Sequence, residues 1–378
     1  MTFSFTFRAI GFALSLFVLA GCTSASSIAP SAQVKTHAPK MDSGALGNAP
    51  YRIDIPANWN GELVMLLHGY EPKGFPRETP WPQNEATPVF LSQGYAVAAS
   101  AYSSQGWAVA DAIPDNEQLR ANFNAKFGKP RHTYLVGFSL GGHVALASLE
   151  RYEANYDGAL SLCGVNVPAA EGFDESVLTS LVVFDYFFPG AMGLGSGGLS
   201  DPASPFMLDP EALETSLKSN EAAAVLLSTR LEIPRAGLAG ALMLNNMVLH
   251  EMQARAGGFP VDNKAKIYSG FGDDAAFNKG VRRYSGDHNA IKYVANNADL
   301  SGRIKKPVVL ASNNADPTVP TRFNSIYPAL VESAGHADNL LTLPSVGEGH
   351  CDFTPEQTSA AFSKLAQWVN DGHRPKSL

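Results

Sequence analysis

The stretch Thr133-Tyr134-Leu135-Val136-Gly137-Phe138-Ser139-Leu140-Gly141-Gly142 constrains this chain more than any other. A β-rich apolar run breaks into a serine flanked by glycines and passes directly into a helix-forming segment. A serine hydroxyl can be presented at the top of a sheet only where the chain turns very sharply from strand to helix. Gly137 and Gly141 stand where side chains would collide in such a turn. The helix expected from Leu140 through Glu150 carries Gly141, Gly142, Ala145 and Ala147, small residues that allow close packing on the sheet.

The same strand-then-helix pattern extends to both sides of this turn. Tyr51–Ile55 alternates as an edge strand should, and Glu62–Leu67 is a near-continuous apolar run, the pattern of a strand covered on both faces. That run ends in His68-Gly69-Tyr70. A helix is expected over 85–93, a strand over 95–100, and a helix over 108–127 from the spacing of Ala112, Leu119, Phe123 and Phe127. After Cys163 the alternation stops. Helical segments are expected over 176–188, 210–231 and 236–256, and the strand pattern resumes only at 306–312 and 340–343, before a final helix over 355–370.

The residues Gly137-Phe138-Ser139-Leu140-Gly141-Gly142 resemble the serine motif of the α/β-hydrolase superfamily, and His68-Gly69-Tyr70 resembles its oxyanion segment. The resemblance implies a mostly parallel sheet flanked by helices, built from 49–165 and 300–378, with 166–299 as an inserted, mainly helical cap. It implies a nucleophile-acid-base order met here by Ser139, Asp316 and His350, each just past an expected strand. A serine alcohol is a poor nucleophile at neutral pH, so a neutral imidazole must take its proton, and a carboxylate must orient that imidazole. The backbone N–H groups of Tyr70 (or Gly69) and Leu140 are the implied oxyanion donors. His68 reads as structural, His143 as lying below the site, His250 and His288 as cap residues, and Asp273, Asp274 and Asp287 as belonging to the insertion. No H-E-x-x-H or C-x-x-C spacing points to a metal, and the chemistry needs no cofactor.

Several aromatic residues flank the expected mouth. Trp81, Tyr102 and Trp107 read either as substrate-pocket lining or, for the last two, as a polar turn followed by a core tryptophan. The run 181–188 reads either as an acyl pocket or as the cap's own core. In the superfamily Cys163 and Cys351 would both lie at the active-site edge of the sheet, and they are expected to be bonded. Tannases and feruloyl esterases carry a similar disulfide beside the histidine. Their partner cysteine precedes the serine, however, where this chain has Phe138, so that likeness is partial.

Composition and the N-terminus set the remaining bounds. A chain of 378 residues, 45% hydrophobic and 17% charged, can bury a large core, and its net charge of −7 with no Lys/Arg run excludes nucleic acid as a partner. Arg8 precedes an apolar run from Ile10 to Ala20, shorter than the roughly 20 residues a membrane-spanning helix takes. It ends in Leu19-Ala20-Gly21-Cys22, which resembles the lipobox of bacterial lipoproteins. That implies a signal peptide over 1–21, lipidation of Cys22, a membrane anchor and a cell-envelope location. Thr23 after the cysteine points to the outer membrane. The Ser-, Ala- and Pro-rich stretch 22–48 reads as a flexible tether. The expected function is an extracytoplasmic serine esterase. The alternatives are a prolyl-oligopeptidase-like peptidase, whose catalytic core is also similar, and a non-catalytic binding protein of the same fold.

Overall fold

The apolar runs become the centre of a single eight-stranded sheet in the computed structural model, which describes residues 38–376. The strands are β1 (Lys40–Leu46), β2 (Ala49–Ile55), β3 (Leu63–Leu67), β4 (Ala96–Ser100), β5 (Thr133–Phe138), β6 (Gly158–Leu162), β7 (Val308–Ala311) and β8 (Leu340–Thr342), in the order β1-β2-β4-β3-β5-β6-β7-β8. The first two pairings, β1 with β2 and β2 with β4, are antiparallel, and every later one is parallel. All five residues of β3 are buried, because its two faces are both covered. Leu63, Met65 and Leu67 pack on one side with Leu119, Phe123 and Val144, while Val64 and Leu66 pack on the other with Phe90 and Phe362.

Those partners come from helices on both faces: α1 (Thr87–Ser92), α2 (Val109–Phe127) and α3 (Leu140–Arg151) early in the chain, and α11 (Ile326–Ser333) and α12 (Pro355–Asp371) at its end. Between β6 and β7 lies the insertion. It consists of α4 (Ala169–Gly172), continuing through a π-helical turn (Phe173–Leu178) into α5 (Thr179–Phe187), then α6 (Pro210–Ser219), α7 (Glu221–Leu231), α8 (Leu238–Ala256), α9 (Asp274–Gly280) and α10 (His288–Ala298). The insertion and the sheet belong to one unit, Thr36–Leu378.

The structure corrects two expectations and decides between two readings of a third segment. Residues 40–46 are not tether: they form β1, so Tyr51–Ile55 is not the edge, because β1 covers it. The helix expected over 210–231 is two helices, broken where Asn220 leaves helical geometry and its side chain caps the backbone N–H of Ala223. Residues 181–188 are core rather than pocket wall, with Leu181, Val182, Val183 and Phe184 fully buried in the main hydrophobic cluster. The expected signal peptide, Cys22 and the first part of the tether lie outside the described residues.

Candidate active site

Three strand ends bring Ser139, Asp316 and His350 together. Ser139 follows β5 and caps α3 with φ 54° and ψ −124°, a conformation that a residue with a side chain rarely adopts. The turn is possible because a Cβ at Gly137 would overlap the Gly141 carbonyl, and one at Gly141 would overlap the Leu67 carbonyl. Asp316, beyond β7, is 4% exposed, and its Oδ1 accepts the backbone N–H groups of Thr318 (2.7 Å) and Val319 (2.8 Å). Its Oδ2 lies 2.8 Å from His350 Nδ1, and His350 Nε2 lies 2.8 Å from Ser139 Oγ. The acid and histidine loops are themselves joined, with Gly349 N–H donating to Ala315 O at 2.7 Å and Asn314 N–H donating to Gly347 O at 2.9 Å.

A disulfide bonds Cys163 to Cys351, with the Cα atoms 5.2 Å apart and the two residues 188 positions apart in sequence. Cys163 follows β6, whose Leu162 carbonyl accepts the N–H of Ser139, so the bond ties the histidine loop to the strand beside the serine. Both cysteines have positive φ, which adds them to Ser139 as strained backbone gathered at one sheet edge.

On the opposite side of Ser139 Oγ stand Gly69 and Tyr70, at the end of β3. The two approach closely: a Cβ on Gly69 would sit 3.2 Å from that of Ser139. Among the described residues nothing accepts from the backbone N–H of Tyr70 or Leu140, which leaves both free for an oxyanion. His68 stacks on Tyr102 with ring centroids 4.0 Å apart, and its Nδ1 meets Gly69 O at 2.8 Å. Burial pushes the His68 imidazole down to about 4, although Glu71 opposes this, so the ring stays neutral at pH 7.

A cavity of about 440 Å³ opens on Ser139, walled by Trp107, Val167, Phe173, Val177, Val248 and Phe323 among others. Of the three pocket aromatics expected, only Trp107 lines it. Tyr102 is fully buried and donates through its hydroxyl to His68 O at 3.1 Å, while Trp81 packs beside the His68 ring at 5.5 Å. Both therefore brace the segment after β3 instead of touching a substrate. Among the described residues no Asp, Glu, Lys or Arg lines the cavity, which the imidazoles of His350 and His143 do line.

His143 holds the insertion rather than lying idle below the site. Its Nδ1 is 2.8 Å from Val165 O and its Nε2 2.6 Å from Ala298 O, the first near the insertion's start and the second near its end. Burial lowers its pKa against the pull of these carbonyls. Asp273 and Asp287 are spent as helix N-caps. Sequence reasoning missed Glu251 of α8, whose buried carboxylate reaches both Tyr70 and Trp107. No motif announces it, because it stands 181 residues from Tyr70.

No protein-family model matches the chain. Over 118 residues it is 29% identical to o-phthalyl amidase of Xanthobacter agilis, a match covering 30% of this chain and 24% of that protein's length. Among solved structures it is similar to feruloyl esterase B of Aspergillus oryzae, at 12% identity and TM-score 0.50 over 89% of this chain and 82% of that one. It is also similar to a serine hydrolase of Cycloclasticus zankles, at 17% identity and TM-score 0.41 over 88% and 98%. With the strand order above, the fold is the α/β-hydrolase fold.

Proposed function

We propose that this protein is a serine hydrolase cleaving carboxylic esters through an acyl-enzyme, with Ser139 as nucleophile, His350 as general base and acid, and Asp316 as its orienting carboxylate. The observation that carries this reading is the continuous relay: one imidazole with Ser139 Oγ at 2.8 Å from one nitrogen and a buried carboxylate at 2.8 Å from the other. Asp316 accepts a hydrogen bond from the Nδ1–H of His350 and stays ionised, which leaves Nε2 with a lone pair facing the serine hydroxyl. As Oγ attacks the ester carbon, His350 takes the serine proton and then gives it to the departing alcohol. A water, deprotonated by the same imidazole, releases the acid. The N–H groups of Leu140 and Tyr70 receive the oxyanion of each tetrahedral intermediate, at about 3 kcal/mol of barrier per donor.

The wall chemistry narrows the acyl group. With no Lys or Arg at the cavity, a carboxylate-bearing acyl group has no counter-charge, so the substrates are small uncharged esters. The likeness to an amidase supports amide cleavage by the same relay as the second reading. The sequence Leu19-Ala20-Gly21-Cys22, together with the disulfide, supports a lipid-anchored location in the cell envelope, outside the cytoplasm.

The test is hydrolysis of alkyl and aromatic p-nitrophenyl esters, an aromatic p-nitroanilide and a prolyl p-nitroanilide by the wild type and by Ser139→Ala. Ester cleavage lost in Ser139→Ala is the expected result. Cleavage confined to the anilides moves the reading to an amidase or peptidase, and equal turnover by both proteins removes Ser139 from its role.

A further inference from the structure

Glu251 is 5% exposed, does not line the cavity, and yet touches two residues that do. Its Oε1 accepts the phenol of Tyr70 at 2.8 Å, and its Oε2 accepts the backbone N–H of Trp107 at 3.0 Å. These two residues belong to one backbone unit, since Gly106 N–H donates to Glu71 O at 2.8 Å. The carboxylate lies flat against Gly106, where any Cβ would overlap it. One turn further along α8, Arg255 grips the same segment through Ser104 Oγ (2.8 Å), Gln105 O (2.7 Å) and Asp111 Oδ2 (2.7 Å).

A carboxylate suits this position because both facing groups are donors. Glutamine has one acceptor and one donor, so it could accept only the Trp107 N–H and would have to turn the Tyr70 phenol into an acceptor, exchanging two charge-assisted bonds for neutral ones. Burial raises the Glu251 pKa, so the group is held there at a cost in solvation. The same helix presents Leu244, Asn245 and Val248 to the cavity. The wall that meets a bound acyl group and the clamp on the oxyanion loop are thus one rigid element.

Resting on the reading of Ser139 as nucleophile, we infer that Glu251 is a positioning residue: from the cap it fixes the Tyr70 backbone N–H where the oxyanion forms, coupling α8 to transition-state stabilisation. It touches no substrate and acts only through Tyr70 and Trp107.

The experiment compares Glu251→Gln, Tyr70→Phe and the double variant with wild type on the best ester of the panel. An alkyl boronic acid, which forms a tetrahedral adduct on the serine, serves as the probe of oxyanion binding. The expected result is a fall in kcat of up to about 100-fold with KM nearly constant, a parallel loss of boronate affinity, and a double variant no worse than the poorer single one. Tyr70→Phe keeps the backbone and ring, so it carries the test should Glu251→Gln fold poorly. A lowered melting temperature with kcat and boronate affinity preserved overturns the inference while the serine reading stands. Undiminished hydrolysis by Ser139→Ala overturns both.

Discussion

The two flanks of the Ser139 hydroxyl are ordered by different means. On the base flank, the bonds that reach His350 and Asp316 come from the core: two backbone N–H groups on Asp316, backbone hydrogen bonds between the acid and histidine loops, and the Cys163–Cys351 bond. On the oxyanion flank, the loop bearing Tyr70 is clamped by a side chain that arrives from the insertion. Covalent and backbone restraints are indifferent to what occupies the cavity, whereas a clamp carried on the cavity wall is not. Under the proposed function, proton transfer would stay constant while oxyanion stabilisation answered to the cap.

The largest effect expected is on the base flank. Asp316→Asn places an amide where His350 needs an acceptor, favours the wrong tautomer, and should lower kcat about 10⁴-fold with the fold intact. Steady-state kinetics beside circular dichroism checks this, and a loss below about tenfold would show that the carboxylate does not set the tautomer.

Breaking the disulfide comes next. Closing 188 residues stabilises by about 5 kcal/mol on the chain-entropy account, so Cys163→Ser with Cys351→Ser should unfold at far lower urea and lose kcat as the histidine loop loosens. If the urea midpoint is unmoved, the base flank owes its order to the loops alone.

A smaller effect should appear on the oxyanion flank in acid. The His68 ring titrates at about 4 when folded against 6.5 as the ordinary value, so between these the unfolded chain binds the extra proton. Stability is whole above about pH 6.5 and declines as pH falls toward 4, by up to about 3 kcal/mol. His68→Gln should flatten that decline relative to wild type in urea titrations across this range. Burial also lowers the His143 and His250 pKa values, so the difference between the two proteins isolates the His68 share.

The smallest effect separates cap stability from the clamp. Asn220→Ala removes the α7 N-cap, far in sequence from α8's contacts, and should cost about 1 kcal/mol with ester turnover unchanged. A fall in kcat there would mean that any loosening of the insertion reaches the oxyanion loop, and the special place of Glu251 would dissolve.

What the sequence makes legible follows the same division. The serine turn, the acid loop and the histidine loop each sit at the end of an apolar run, so strand periodicity marks the loops, and the resemblance to the α/β-hydrolase superfamily picks the residues within them. Strand β1 escapes notice because it is mostly exposed and owes its order to pairing with β2, leaving no hydrophobic alternation to read. Tyr102 is open to two readings in the sequence because an aromatic residue after a strand can face a pocket or a stack equally well. Here the His68 ring at 4.0 Å takes it. Glu251 and His143 each join segments remote in sequence by two polar contacts of one side chain, and neither periodicity nor motif encodes such a meeting.

His143 has one more consequence. A single imidazole spans from the carbonyl of Val165 to that of Ala298, so the chain departs into the insertion and comes home at nearly the same spot. A detour that leaves and returns at one spot makes little demand on the register of the strands beneath, although its helices share the main core. Any transplanted roof would have to keep a backbone carbonyl at each doorway, the Glu251 and Arg255 contacts that reach down from α8, and the apolar face that joins the main core.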